Sequence, residues 1–197
     1  MTQHLDSHSF FEVDKATGLL KNSQFIASPN CDERPFKDDI TLVVVHGISL
    51  PPNEFGGAGV EQLFTNQLDP SEHSYYETIK NLKVSSHLFI RRDGEVVQFV
   101  PFHKRAWHAG LSEFAGRKKC NDFSIGIELE GTDHIPYSDS QYTALKNVIR
   151  ALWQAYPETK SRNLVGHCDI SPGRKTDPGE SFDWPKLKAM LDLGQFA

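Results

Sequence analysis

The sequence of 197 residues lacks the long apolar runs and the excess of positive charge that mark several large classes of protein. Its longest uninterrupted apolar run, Leu42 to Val45, is far shorter than the roughly 18 residues that cross a bilayer or the roughly 7–15 in a signal-peptide core. Lys and Arg total 21 against 26 Asp and Glu, which leaves a net charge of −5 and no general basic surface. We therefore expect neither a nucleic-acid nor a membrane partner.

Cysteine is also scarce, and the chain has no repeat or linker that would divide it. The 3 cysteines form no CxxC pair, and an odd number suits a reducing compartment better than a disulfide scaffold. With no signal-peptide core, this predicts a cytoplasmic protein. The length is that of one domain of roughly 100–200 residues, and we expect a monomer. We divide it into a polar N-terminal approach segment, residues 1–38, anchored at Phe10–Phe11, and one domain, residues 39–197.

Two stretches predict strands that border a polar site. Residues 41–47 (TLVVVHG) are apolar and β-branched, which is typical of a strand buried on both faces, and His46 lies near its carboxyl end. Residues 123–131 (FSIGIELEG) alternate apolar side chains with Ser, Gly and Glu. Because side chains alternate across a strand, Glu128 and Glu130 share its polar face. A core strand with acids on one face indicates a polar site beside it.

The remaining patterns predict the rest of the fold. Asp93-Gly94 between two alternating runs predicts a β-hairpin with strands near 86–91 and 95–100. Apolar residues at spacings of three and four after Ser138, which forms a capping box with Gln141, predict a long helix. Further elements are a short helix near 60–67, a strand in NLVGH (163–167) and a terminal helix capped by Asp183. This order predicts an α/β (α+β) fold, a single domain with a central mixed β-sheet flanked by helices.

Three residues with metal-ligand chemistry lie at or after these elements. His46 and His167 each end a predicted strand, and Asp177 follows ten residues later in a loop. Two imidazoles and one carboxylate form the ligand set of a catalytic zinc, which keeps a fourth position open for water. The two histidines are 121 residues apart, so spacing alone leaves an alternative, in which each is a hydrogen-bonded histidine at a strand end.

Four longer motifs resemble, in the same order, those of the zinc-dependent N-acetylmuramoyl-L-alanine amidases. They are VVVHGISLPPNEFGG, RRDGEVVQFVPFHKRAWHAG, CNDFSIGIELEGTD and GHCDISPGRKTDPGESFDWPKL. The resemblance covers about residues 26–191. It implies an amidase-like fold and one zinc ion held by His46, His167 and Asp177. It also places the family's catalytic acid at Glu128 and its catalytic lysine at Lys175.

The implied roles of the two catalytic residues have alternatives. In the resemblance, Glu128 is the general base that takes a proton from the attacking water and returns it to the departing amine. Lys175 faces the oxyanion that forms at the attacked carbon. Glu130 shares the strand face of Glu128, so spacing does not choose between them. In GRKTDPG, Lys175 and its neighbour Arg174 have the alternative of being solvated loop charges.

A second group of residues is predicted to bind the substrate. The motif HKRAWHAG places Trp107 and His108 beside Arg105, and an aromatic surface next to a cation suits a sugar ring and an acidic peptide. Related amidases line the substrate cleft with this stretch, although core packing is the alternative for Trp107. The loop of residues 49–59, rich in Pro and Gly, follows the first metal ligand and is a candidate wall of the site.

This chain departs from the family pattern at three positions. Gly47 stands where relatives often have Asn, so one side-chain amide for the peptide is missing. Lys83 and Lys119 stand where Arg is expected, and Lys grips a carboxylate as a point charge rather than with a bidentate fork. We predict that these two lysines contact the diaminopimelate end of the peptide.

The resemblance implies hydrolysis of the amide bond between (1,6-anhydro-)N-acetylmuramic acid and L-alanine of muropeptides, in peptidoglycan recycling. Two alternatives remain: a lytic amidase acting on polymeric cell wall, and a peptidoglycan-recognition protein that binds muropeptides without cutting them. A Cys/His hydrolase built on Cys168 and His167 is disfavoured, because adjacent strand residues point to opposite faces. The other histidines, His87 among them, are predicted to be structural.

Overall fold

The computed structural model describes residues 11–192, and this range forms twelve strands and five α-helices. The strands are β1 (Glu12–Asp14), β2 (Leu19–Lys21), β3 (Gln24–Phe25), β4 (Cys31–Glu33), β5 (Leu42–Ile48), β6 (Leu88–Ile90), β7 (Val96–Gln98), β8 (Lys104–Ala106), β9 (Glu113–Phe114), β10 (Arg117–Lys118), β11 (Ser124–Glu130) and β12 (Leu164–Gly166). The helices are α1 (Gly59–Phe64), α2 (Ser74–Ile79), α3 (Asp139–Ala155), α4 (His167–Ile170) and α5 (Trp184–Met190).

A mixed six-stranded sheet in the order β12-β5-β11-β6-β7-β3 forms the centre of the fold. The four strands from β12 to β6 run parallel, β7 is antiparallel to β6, and β3 is parallel to β7. The β6–β7 pair is the hairpin predicted from Asp93-Gly94, with shorter strands than the sequence predicts. The mixed sheet flanked by helices is therefore confirmed.

Parallel strands bring their carboxyl ends to one edge of the sheet, where ligands commonly bind in folds of this kind. Strands β5 and β11 lie side by side with His46 opposite Glu128. Strand β12 lies on the other side of β5, and the residue after it, His167, begins helix α4 instead of ending the strand as predicted. All three residues therefore lie at the same edge.

Helix α3 covers one face of the sheet. Ser138 Oγ accepts a hydrogen bond from the backbone N of Gln141, and Gln141 Oε1 accepts one from the backbone N of Ser138, which is the predicted capping box. The helix ends at Ala155, before Pro157. Its buried stripe packs against the apolar face of β5 and β11 and includes Tyr142, Leu145, Val148, Ile149 and Leu152.

The opposite face of the sheet carries the other half of each strand's side chains. Leu42 and Val44 lie there in a small apolar cluster with Ala109, Phe123 and Ile170. In the alternation of β5 the next side chain on this face is that of His46. The ligand face is therefore covered by loops and short elements, and this leaves room for a cavity that the long helix on the other face does not allow.

The described part of the predicted approach segment packs against this core. Phe11, just before β1, and Val13 and Leu20 of the β1–β2 hairpin lie in the main apolar cluster, so more residues anchor the segment than Phe10–Phe11. Strand β3 extends the sheet, and β4 pairs with β8. Phe10 and the rest of residues 1–10 lie outside the described residues, as do residues 193–197, and the division at residue 38 stays a prediction.

The short helices differ most from the sequence-based expectation. Helix α1 lies close to the predicted 60–67, whereas α2 was not predicted. Helix α2 has six residues and only Tyr76 is buried, so it has no apolar stripe to detect. Helix α5 begins as predicted, since Asp183 Oδ1 accepts a hydrogen bond from the backbone N of Lys186. None of the helices within residues 11–192 combines the length and apolar character needed to cross a bilayer.

Candidate metal centre and catalytic site

The three predicted metal ligands converge at the carboxyl edge of the sheet. His46 Nδ1 lies 2.9 Å from His167 Nδ1 and 3.2 Å from Asp177 Oδ2, and His167 Nδ1 lies 3.0 Å from Asp177 Oδ2. Both imidazoles are buried and the carboxylate is partly buried. Within the described range, this is the one group of three or more His, Cys, Asp or Glu side chains with donor atoms arranged closely enough to hold a metal ion.

The size and chemistry of this donor set fit a tetrahedral divalent cation. Zinc is bound at about 2.0–2.1 Å, so two ligand atoms at corners of its tetrahedron lie about 3.3 Å apart, close to the edges of the observed triangle. Two imidazoles and one carboxylate leave one of four positions free, as in catalytic zinc sites. The residues present therefore fit the metal that the motifs imply.

The ionisation of the ligands also suits a metal, which binds neutral histidine and ionised aspartate. Burial lowers the pKa of His46 to about 4, so its ring is neutral near pH 7. Burial acts to raise the pKa of Asp177, but polar contacts with the ring nitrogens of His167 and His46 outweigh it and hold that pKa below its ordinary value. Asp177 is therefore ionised beside two neutral rings.

The side chain of Glu128 lies beside this donor set, and one of its carboxylate oxygens accepts no hydrogen bond from the described residues. Its Oε1 lies 3.9 Å from His46 Nδ1, and its buried Oε2 has no hydrogen-bond partner in the described part of the chain. Burial, and then the negative charge of Asp177, raise the pKa of Glu128 well above its usual value. A carboxyl group with a raised pKa and an unpartnered oxygen beside a metal site is a candidate for proton transfer.

Glu130, the alternative catalytic acid on the same strand face, accepts hydrogen bonds from the backbone instead. Its Oε1 accepts a hydrogen bond from the backbone N of Gly56, and its Oε2 accepts one from the backbone N of Arg92 at 3.0 Å. Both oxygens are therefore used to tie the loop of residues 49–59 to the turn of the β6–β7 hairpin. This contrast favours Glu128 for chemistry.

A cavity of about 240 Å³ opens in front of the donor set. Glu128, His167, Lys175 and Asp177 form its polar side. Much of the remaining lining is apolar and includes Leu50, Phe64, Ile79, Leu82 and Val84. The start of the loop 49–59 thus forms part of the wall. A larger groove of about 930 Å³ beside Trp184 contains none of the predicted site residues.

Lys175 and Arg174 differ in what they contact. Lys175 lines the cavity. Arg174 Nη2 instead donates to the carbonyl oxygens of Ala109 and Leu111 and to Ser171 Oγ at 2.7–2.8 Å. The guanidinium therefore holds the segment around residues 109–111, and it approaches His167 at Nε2 (3.5 Å), the ring nitrogen outside the donor set. Of the two cations, only Lys175 lines the cavity.

The predicted substrate-binding residues divide into two groups. Trp107 and His108 line the cavity. Arg105 does not line it, because its guanidinium is held by ion pairs with Asp32 at 2.6 Å and Asp122 at 2.5 Å. The position of Arg105 thus gives no support to a substrate contact and is accounted for by the joining of β4, β8 and the segment before β11.

The two lysines lie at the margin of the site. Lys83 is exposed between Leu82 and Val84, which both line the cavity. Lys119 is also exposed and lines a neighbouring groove together with Arg174. A contact of either lysine with substrate stays a prediction, and Lys83 is the better placed of the two.

Two tyrosines at the site were missed by sequence reasoning. Tyr75 lines the cavity from helix α2 and is 40% exposed. Tyr137 Oη donates to the carbonyl O of Pro178 at 2.9 Å beside Asp177, and burial raises the pKa of this phenol, which keeps it protonated. Helix α2 begins after His73, whose Nδ1 accepts a hydrogen bond from the backbone N of Tyr75. Histidine is not one of the usual N-cap residues, so the sequence carried no clear signal for this helix.

The chain is similar to known proteins along most of its length. The model of the N-acetylmuramoyl-L-alanine amidase family matches residues 36–180. The chain therefore belongs to the N-acetylmuramoyl-L-alanine amidase family, as the four motifs predicted. Membership of this family makes the chain an amidase. The predicted amidase-like fold is therefore confirmed together with the enzyme class.

One curated relative and two solved structures illustrate this similarity. The chain is 54% identical over 174 residues to the 1,6-anhydro-N-acetylmuramyl-L-alanine amidase AmpD of Escherichia coli (strain K12), covering 88% of this chain and 94% of the relative. A crystal structure of a Se-Met AmpD derivative matches with a TM-score of 0.86 and 54% identity, over 89% of this chain and 97% of that one. The crystal structure of AmpDh3 from Pseudomonas aeruginosa in complex with an anhydromuramic pentapeptide matches with a TM-score of 0.62 and 28% identity, over 79% of this chain and 61% of that one.

Proposed function

We propose that this chain binds one Zn²⁺ through His46, His167 and Asp177 and hydrolyses the amide bond between 1,6-anhydro-N-acetylmuramic acid and L-alanine of muropeptides. The setting would be the recycling of peptidoglycan fragments in the cytoplasm, with the protein acting as a monomer. The observation that carries the proposal is the three-atom donor set with Glu128 beside it, whose Oε2 has no hydrogen-bond partner among residues 11–192. The AmpD relatives, named for this activity, support the choice of substrate.

The proposed chemistry divides between the metal and the chain. When bound, Zn²⁺ supplies Lewis acidity, which polarises the scissile carbonyl and lowers the pKa of a water molecule toward about 7. Glu128 takes the proton of the attacking water on its carboxylate and delivers it to the departing amine of L-alanine. Its raised pKa suits this step, because a base with a pKa closer to neutral holds the proton more firmly until the amine leaves.

Lys175 and the cavity wall complete the proposed site. Lys175 lines the cavity together with the donor set, and we assign its ammonium to the negative charge that develops on the attacked carbonyl oxygen. One well-placed donor of this kind contributes about 3 kcal/mol to the stability of the transition state. The apolar side and Trp107 offer a surface for the muramyl ring and the lactyl methyl group.

The two alternatives make different demands on the site. A peptidoglycan-recognition protein needs no complete metal set, whereas here all three ligands and the acid are brought together. A lytic amidase acting on polymeric cell wall needs the same chemistry but a longer substrate. We favour the soluble anhydro-muropeptide because the AmpD relatives are named for it at 49–54% identity over most of their length.

Purified protein incubated with anhydro-muropeptide tests the proposal. We expect release of free peptide, detected by mass spectrometry, and its loss after chelation with recovery on addition of Zn²⁺. An unchanged substrate in zinc-replete buffer would reject the amidase activity. Faster turnover of intact sacculi than of anhydro-muropeptide would favour the lytic alternative.

Two substitutions separate metal binding from proton transfer. Asp177→Ala should lose both the metal, measured by elemental analysis, and turnover. Glu128→Gln should keep the metal and lower turnover by about 10²–10⁴-fold, the usual contribution of a general acid–base group. Glu130→Gln is the matched control on the same strand face. Normal turnover in Glu128→Gln together with a large loss in Glu130→Gln would exchange the roles of the two acids.

A further inference from the structure

Each histidine of the donor set directs its second ring nitrogen at a different kind of partner. His167 Nε2 lies 3.2 Å from the carbonyl O of Ala109 and 3.5 Å from Nη2 of Arg174, which donates to nearer oxygens at 2.7–2.8 Å. Because the carbonyl only accepts, it suits a His167 ring that carries its proton on Nε2 and turns the lone pair of Nδ1 toward the metal. His46 Nε2 faces a nitrogen of a second imidazole, Nδ1 of His108, at 2.9 Å. The position of the proton on His46 therefore depends on His108.

We propose that His108 is a positioning residue that holds the His46 imidazole with its proton on Nε2 and its Nδ1 lone pair toward the metal. The inference rests on the zinc site proposed above. It gives His108 a role in building that site, in place of the substrate contact predicted from the sequence.

The direction of the hydrogen bonds follows from the chain of three groups. His46 Nδ1 can bind a metal only without a proton, which places the proton of the neutral ring on Nε2. His108 Nδ1 must then accept, and His108 Nε2 must carry a proton and donate it to Ser124 Oγ, 3.0 Å away. A hydroxyl rotates to accept such a bond. The reverse direction puts a proton on His46 Nδ1 and prevents ligation.

The structure holds the His108 ring from several sides. A Cβ at Gly126 would lie 2.5–2.8 Å from the ring of His108, so the ring occupies space that exists only because this residue is glycine. Asn121 Oδ1 accepts hydrogen bonds from the backbone N of His108 at 3.1 Å and of Ala109 at 2.8 Å. The polar face of β11, which the sequence shows as Ser, Gly and Glu, is thus a seat for this imidazole.

This arrangement separates a positioning role from a substrate contact. His108 lines the cavity, but both of its ring nitrogens already have partners in His46 and Ser124. Neither nitrogen remains to bind a peptide. A change at His108 should therefore weaken metal binding in the absence of any substrate.

Zinc affinity of the metal-free protein provides the first test, measured by competition with a chromophoric chelator. We expect His108→Phe, which keeps the ring volume without an acceptor, to bind Zn²⁺ about 10–100-fold more weakly than the wild type, as for other residues that orient metal ligands. His108→Asn is the matched control, because its Oδ1 takes the place of His108 Nδ1 and accepts from His46 Nε2. We expect it to recover affinity to within about threefold of the wild type.

Nitrogen NMR of the zinc-loaded wild type provides a second test that needs no variant. We expect a proton on His46 Nε2 and a scalar coupling across the hydrogen bond to His108 Nδ1. A proton on His108 Nδ1, or no coupling between these nitrogens, would overturn the proposal. The NMR result decides the matter if His108→Phe fails to fold, which thermal unfolding of the metal-free protein would show.

The outcomes also distinguish this inference from the function on which it rests. If wild-type protein binds no Zn²⁺, the proposed function fails. If the wild type binds Zn²⁺ and folded His108→Phe binds it equally well, only the role of His108 fails. Equal weakening in His108→Asn and His108→Phe would also overturn the role, because the acceptor atom would then not matter.

Discussion

Glu128 and Glu130 occupy equivalent places on one face of β11 and yet acquire different chemistry from their neighbours. Both carboxylate oxygens of Glu130 accept backbone hydrogen bonds. Glu128 keeps one buried oxygen without a partner in the described residues and faces the ligand His46. At the scale of single residues, the function of an acid is decided by which of its oxygens remain free.

The raised pKa of Glu128 predicts an unusual stability effect in metal-free protein. Its folded-state pKa lies above the unfolded value, so the folded state binds more protons between the two values and loses stability as pH rises through that window. Glu128→Gln removes this loss. We expect the variant to unfold at a higher temperature than the wild type at neutral pH in chelator, with the difference shrinking as pH falls toward about 4.3. A lower midpoint for the variant at neutral pH would contradict the burial effect.

Glu130→Gln should act in the opposite direction. The amide keeps one acceptor oxygen and turns an NH₂ group toward a backbone N–H of Gly56 or Arg92, which leaves that donor unsatisfied. We expect a loss of about 1–3 kcal/mol in the free energy of unfolding, measured with urea. Unchanged stability would show that the loop of residues 49–59 is held by other contacts.

Strand β11 shows how one element joins the core and the site. Its apolar side chains, Ile125, Ile127 and Leu129, pack in the main core, while the polar face holds Glu128 and the small residues that seat His108. Because a strand alternates its side chains, a shift of one residue would exchange these two faces. The element therefore secures the position of the catalytic acid through the same packing that stabilises the fold.

The substitution Gly126→Ala tests whether the small residues of β11 make room for the ring of His108. The added Cβ would approach the His108 ring to 2.5–2.8 Å, and overpacking of this kind costs about 1–3 kcal/mol. Gly57→Ala is the matched control, since its Cβ would meet nothing closer than 3.9 Å and we expect a change below about 0.5 kcal/mol. Urea unfolding of both variants gives the comparison. Equal losses would show that the seat for His108 is not tight.

At the scale of the whole molecule, buried polar groups connect the described N-terminal part to the site. Arg34 lies between β4 and β5 and is buried. Its guanidinium donates to the carbonyl oxygens of Phe102 and Asn121, and at 2.7 Å to that of Ser124, the first residue of β11. The N-terminal part thus contributes to holding the strand that carries Glu128, beyond covering the core.

The buried histidines predict how the metal-free molecule responds to acid. Burial lowers the pKa values of His46, His87 and His108, with His46 at about 4. Unfolded histidines titrate near pH 6.5, so the unfolded state binds more protons in this interval and stability falls as pH falls from about 6.5 to about 4. His46 alone accounts for about 3 kcal/mol. Calorimetry should detect proton uptake on unfolding near pH 5, and its absence would contradict this account.

Much of this architecture was predictable from local patterns. The hairpin at Asp93-Gly94, the capped helix α3, the continuous apolar run of β5 and the alternation of β11 are each visible in residues close in sequence. Helix α2 was not predictable in this way, because it buries a single side chain and has no apolar stripe. The ion pairs of Arg105 were not predictable either, because its partners Asp32 and Asp122 are distant from it along the chain.

The sequence by itself determined the kind of sheet, the face of each central strand and, through its motifs, the family and its candidate ligands. Only the tertiary structure decided which of two equivalent acids keeps a free oxygen, and that His108 faces His46 rather than standing free for substrate. The reason is physical: periodicity assigns a side chain to a face, whereas its hydrogen-bond partners come from segments distant in sequence that meet only after folding.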